Sequence, residues 1–141
     1  MNTRTLVAAL AGAVTSFLLG WAVYGMLLMP MMMPHWNTIA GLMRPEAEYQ
    51  MHWMFISTLC WTWMVAMVFD KWAGIKDIKG GVIGGILLML PISISTNLSL
   101  HSMMFMYNNI GMIVLMDAVG MSVLAGGAGA VIAFVLSKMS K

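Results

Sequence analysis

Charge is what this chain has least of. Aspartate, glutamate, lysine and arginine make up 9% of its 141 residues, against 61% hydrophobic residues. So few charges cannot cover a water-soluble surface, and the mean hydropathy of +0.88 agrees. The net charge of +2 is small and dispersed, which argues against nucleic acid as a partner. Cysteine is nearly missing. Cys60 stands alone, so there is no internal disulfide and no cysteine–histidine zinc spacing. It falls inside an apolar run and reads as a buried apolar side chain. Also missing are a phosphate-cradling loop and any nucleophile with a base and an orienting third group. The sequence therefore points to a protein that is not an enzyme and needs no cofactor.

What the chain has instead is four charge-poor runs, at residues 6–29, 51–69, 82–100 and 110–136. Each is long enough, as a helix, to cross a hydrocarbon core of roughly 30 Å. In lipid a backbone must satisfy its own hydrogen bonds, which leaves helices and closed barrels. Barrel strands alternate apolar and polar residues, and Val65-Ala66-Met67-Val68-Phe69 does not. The expected fold is all-α: one domain, an integral membrane four-helix bundle embedded in the lipid bilayer. Arg4 before an apolar run imitates a secretion signal, but the run continues too far for one and reads as a retained anchor.

Basic residues choose the side. Arg4, Lys71, Lys76, Lys79, Lys138 and Lys141 flank one end of the four runs, and Arg44 alone the other. The positive-inside rule then places both termini and the middle loop in the cytoplasm. Trp36, Trp53 and Trp72 fit interfacial positions, whereas Trp21, Trp61 and Trp63 lie deeper and read as packing residues. Pro30 and Pro34 forbid a regular helix around Met31-Met32-Met33. Pro45 and the acids Glu46 and Glu48 resemble a helix start, so the second helix is expected to begin there. The stretch 70–79 reads as a solvated turn.

Helices in lipid associate through close backbone approach, which small residues allow. Gly12, Ser16 and Gly20 form one such stripe, Gly80, Gly81, Gly84 and Gly85 a second, and Ala125 with Gly129 a third. Pro91 is expected to kink the third helix and free the carbonyl near Leu87.

Polarity gathers at the outer end, in Ser93, Ser95, Thr96, Asn97, Ser99, His101, Asn108 and Asn109, with Asp117 about two turns inside the fourth run. Asp117 is the only ionisable acid in a span, and intramembrane acids are costly. Two readings stand. It is a proton-accepting or cation-coordinating group in a polar pocket with Asn97, Ser93, His101 and Asn109. Or it is a carboxyl that hydrogen-bonds across helices and fixes their register.

Methionine is abundant. Of 19, the outer half holds 13, including Met31, Met32, Met33, Met43 and Met51, and His35, His52 and His101 share that side. Thioether and imidazole suit a soft cation such as Cu(I), so this face is a candidate metal site. Methionine is equally a flexible filler of irregular interfaces. Glu48 lies one turn before His52 and is placed to pair with it.

Leu19-Gly20-Trp21-Ala22-Val23-Tyr24-Gly25, Gly80 to Gly85 leading to Leu90-Pro91, Asn97, and Gly129-Ala130-Val131-Ile132-Ala133 together resemble a group of small bacterial four-span membrane proteins. That group is catalogued as a domain of unknown function. The resemblance implies the four-span architecture and a bacterial inner membrane, and it carries no catalytic residue. The expected function is an accessory or structural subunit, working as a homo-oligomer or within a larger membrane complex. A small transporter or channel built around Asp117 is the alternative.

Overall fold

The computed structural model describes residues 2–40 and 44–139, apart from the Glu46 side chain; Met43 and Lys141 lie outside the described residues. Four helices are long and apolar enough to cross a membrane: Thr3–His35, Met51–Ala73, Ile78–Met103 and Ile110–Lys138. Among the described residues, extended pairing is confined to one antiparallel bridge between Trp36 and Tyr107. This is the architecture of a multi-pass helical membrane protein.

Each helix outruns the apolar stretch that announced it, and the differences have local causes. The first is regular α-helix only over Thr3–Gly20. A π-helix follows over Trp21–Leu28, closed by the Met29 amide donating to the Tyr24 carbonyl five residues back. One α-turn, Met29–Met32, and a 3-10 turn, Met33–His35, complete it. The prolines thus loosen the helix without stopping it. Pro30 has no N–H to give, and the wider π-turn ahead of it rearranges carbonyls its ring would crowd. The second helix does not begin at Pro45. A single 3-10 turn, Glu46–Glu48, precedes it, and the α-helix starts at Met51. It ends in a π-segment, Val68–Ala73, and at Gly74, whose φ of 62° is a left-handed conformation that glycine adopts without strain. The Ile75 amide then donates back to the Phe69 carbonyl at 3.1 Å.

The third helix starts at a capped end, where the Asp77 carboxylate accepts from the Gly80 amide at 2.6 Å, and continues through Pro91 to Met103. The middle connection is therefore short, residues 74–77, and Asp70 is not part of a solvated turn. Its side chain is fully buried. It meets the Arg4 guanidinium at 2.7 Å and accepts from the Thr5 hydroxyl at 2.8 Å. The Arg4 contact is close but not in line, since neither Asp70 Oδ1 nor Arg4 Nε makes an aligned hydrogen bond among the described residues. The start of the first helix is thereby tied to the end of the second.

The fourth helix is the centre of the bundle. Half of its most apolar stretch (50%) is buried in the protein, against 28% or less for the other three. It packs most extensively on the third helix, then on the first, and the first packs on the second. The seam between third and fourth is made by glycine. A Cβ on Gly81 would overlap the Gly129 carbonyl, and one on Gly85 the Ala125 carbonyl. Gly12 admits Ile132, whose Cγ1 would lie 2.6 Å from an added Cβ. Gly84 faces the Phe69 ring and Ile75, and Gly80 faces the capping Asp77. Gly20 has room, with Leu124 Cδ2 at 3.6 Å from an added Cβ.

Apolar residues on the outer faces need no cover in lipid. Cys60 is exposed, contrary to the expectation that it is buried. Trp21 (62%) and Trp63 (40%) are exposed too, and of the three deeper tryptophans only Trp61 packs against the core.

Two glycines separate a seam from a spacer. Gly85→Ala should lower stability by about 1–3 kcal/mol, because the backbones must move apart to admit a methyl group. Gly20→Ala should be neutral or stabilising by up to about 1 kcal/mol, since it only removes glycine's entropic cost in a helix. Unfolding by sodium dodecyl sulfate in mixed micelles, followed by circular dichroism, measures both.

Candidate functional site

Antiparallel packing of the third and fourth helices brings Ser93 and Asn97, one turn apart on one face, to Asp117. The Ser93 hydroxyl and the Asn97 side-chain amide both donate to Asp117 Oδ2, the latter at 2.7 Å. From the first helix the Tyr24 hydroxyl donates to Oδ1 at 2.7 Å and lies 3.2 Å from the Asp117 backbone carbonyl. The carboxylate therefore receives three donors from two other helices.

Each donor is itself held. Tyr24 sits on the π-segment and its ring fills the space left by the missing side chain of Gly120, where an added Cβ would lie 2.7 Å from the ring. The Asn97 amide also reaches the Ser93 carbonyl at 3.1 Å, and its oxygen accepts from the Tyr107 hydroxyl at 3.2 Å. That bond orients the amide so that its nitrogen faces Asp117. Burial, and secondly the Asp117 carboxylate, push the Tyr107 phenol above its usual pKa, which keeps it a donor.

Tyr107 is buried among Leu28, Met32 and Ile113 beneath the connections that follow the first and third helices. Those connections zip together. The Asn37 amide donates to the Met106 carbonyl at 2.8 Å and the Asn108 amide to the His35 carbonyl at 3.0 Å. The Asn37 and Asn108 side chains add bonds to the Phe105 and Pro34 carbonyls, at 2.7 and 3.2 Å. The end of the first helix is thus fastened to the loop between the third and fourth.

The other residues singled out in the sequence take separate places. His101 stacks on Tyr107, ring centroids 6.3 Å apart, and so reaches Asp117 only through Tyr107 and Asn97. Asn109 caps the fourth helix, accepting from the Met112 amide at 3.2 Å. His52 is exposed, 5.3 Å from the Trp53 ring, and it forms no ion pair with Glu48 among the described residues. His35 is half-buried where the first helix ends. Met31, Met33 and Met51 are exposed, while Met32 turns inward beside Tyr107. Among the described residues no three histidine, cysteine, aspartate or glutamate side chains gather closely enough to hold a metal ion.

Tyr24 and Tyr107 were not singled out from the sequence. The usable signal was the hydroxyl itself: a tyrosine within or beside an apolar span needs a partner for its O–H, and Asp117 is the strongest acceptor available. No protein-family model matches the chain, and no curated protein or solved structure is significantly similar to it.

The cluster is expected to act as a clasp. Asp117→Leu strands three donors and should cost about 2–4 kcal/mol of stability, toward the upper end of what a few interhelical hydrogen bonds are worth. Tyr24→Phe removes one bond and should cost about 0.6–1.7 kcal/mol. In the detergent unfolding assay, the Tyr24→Phe effect should vanish in the Asp117→Leu background. Additive losses would mean that Tyr24 does not act through the carboxylate.

Proposed function

We propose that this chain is a non-enzymatic membrane protein, an accessory subunit or oligomeric helper of the bacterial inner membrane, with both termini in the cytoplasm. The observation that carries the reading is the state of Asp117, whose carboxylate is occupied by Tyr24, Ser93 and Asn97. A group that must bind and release a proton or an ion during transport needs an open position, and this one is filled by protein donors. The other half of the bundle also argues against a path. There Gly81 and Gly85 bring the third-helix backbone into contact with the fourth at Gly129 and Ala125, which leaves no passage between those two helices. Six basic residues at one end against one at the other support the orientation. The third helix bends at Pro91, where the Leu87 carbonyl has lost its partner in the ladder. Membership of the bacterial four-span group belongs to the same proposal and rests on the motifs that carry the resemblance.

Two experiments test it. In a Cys60→Ser background, a cysteine at Thr38 should react with an impermeant thiol reagent on intact cells, and one at Ala73 should not. The opposite labelling reverses the orientation. Purification from the native membrane in mild detergent, followed by native mass spectrometry, should recover an oligomer or a complex. A lone monomer whose ion flux in liposomes is abolished by Asp117→Asn would establish transport instead.

A further inference from the structure

A half-open groove of about 600 Å³ runs between the first and second helices. Trp21, Tyr24 and Gly25 of the π-segment line one wall, Trp53, Ser57 and Trp61 the other, and Ser16 lies at the deep end. From Ser16 to Met29 it extends over roughly 20 Å, at about 1.5 Å per residue. Among the described residues, none that lines it is charged.

Two features distinguish it from a crevice for an acyl chain. The first is aromatic density, since an aliphatic chain needs no indole faces whereas a flat ring stacks on them. The second is an excess of unused donors. The hydroxyls of Thr15, Thr58, Thr62 and Ser122 each donate to the carbonyl four residues back. Those of Ser16 and Ser57 do not, and neither they nor the indole N–H groups of Trp21, Trp53 and Trp61 have a hydrogen-bond partner among the described residues. An indole N–H only donates. The lining thus combines aromatic rings with residues that carry unpartnered donors, and among the described residues it holds neither a carboxylate nor a cation. A π-segment in mid-helix, which is common at functional sites, presents one side of it.

We propose that this groove binds a neutral, flat ring compound carrying hydrogen-bond-accepting oxygens and a lipid-soluble tail, the chemistry of a membrane quinone. Its oxygens take the free donors, its ring lies against the indoles, and its tail leaves sideways into lipid. The assignment concerns binding alone and does not depend on the subunit reading.

The full-length protein in phosphatidylcholine nanodiscs is titrated calorimetrically with ubiquinone-1, with empty nanodiscs as the blank. Saturable binding at one site per chain is expected. Gly25→Leu, which fills the groove where an added Cβ meets only the Trp21 ring at 3.6 Å, should weaken it at least about tenfold. Trp21→Leu, at a ring 62% exposed and outside the core, should weaken it too and serves if Gly25→Leu fails to fold. Leu87→Ala, on the third helix away from the groove, should bind as the parent does. No heat beyond the blank overturns the proposal, as does undiminished binding by a folded Gly25→Leu. Displacement of the quinone by an equal concentration of farnesol would also overturn it, because the groove would then read the tail and not the ring.

Discussion

Backbone contact between the third and fourth helices is the constraint on which the polar end depends. Lipid supplies no hydrophobic drive for helices to associate, so van der Waals approach must do so, and it requires residues without side chains. Gly81 faces Gly129 and Gly85 faces Ala125. Continuing this antiparallel register by two further four-residue steps sets Ser93 opposite Asp117, where their hydrogen bond is found. Gly81, Gly85, Met89, Ser93 and Asn97 thus form one face, close-packed at one end and hydrogen-bonding at the other. The polar cluster is where the glycine seam puts it.

That face was legible in the sequence, because four-residue spacing survives along a regular helix, and so were the four spans. What was not legible falls where the period breaks. The first helix turns to π-helix at Trp21, and Tyr24 beyond it meets Gly120 and Asp117 although its face, four residues on from Gly12, Ser16 and Gly20, reads as one of apolar packing. The second helix ends in another π-segment, which carries Asp70 inward to Arg4 and Thr5 when its neighbours read as a solvated turn. Burial was harder still. In water an apolar side chain is expected inside, but beside lipid it is equally at home on either face. Hence nothing in the composition separated Trp61, which packs, from Trp21 and Trp63, which do not, or showed that Cys60 faces outward.

The two ends are fastened by different chemistry. At one, an ion pair supported by a hydroxyl joins Arg4, Thr5 and Asp70. At the other, backbone and asparagine bonds join the segment after the first helix to the loop before the fourth. Both fasten the first helix, and both lie at ends, where charge and irregular backbone are tolerable. The membrane interior between them relies on shape, with one polar exception.

The exception is tolerated for a reason that magnitudes make plain. An aspartate deep in a spanning helix costs about 2.5–3.5 kcal/mol. An interhelical hydrogen bond in a membrane protein returns about 0.6 kcal/mol on average and up to about 1.7. The three donors on Asp117 therefore recover roughly 2–5 kcal/mol, which is comparable to the cost. Fewer would leave the residue a liability, and no lysine or arginine stands within the four charge-poor runs to neutralise it. Asp117 can occupy this depth because Tyr24, Ser93 and Asn97 all reach it, and they do so only when the first, third and fourth helices hold one register. The carboxylate thus couples the packing of three helices without a counter-ion.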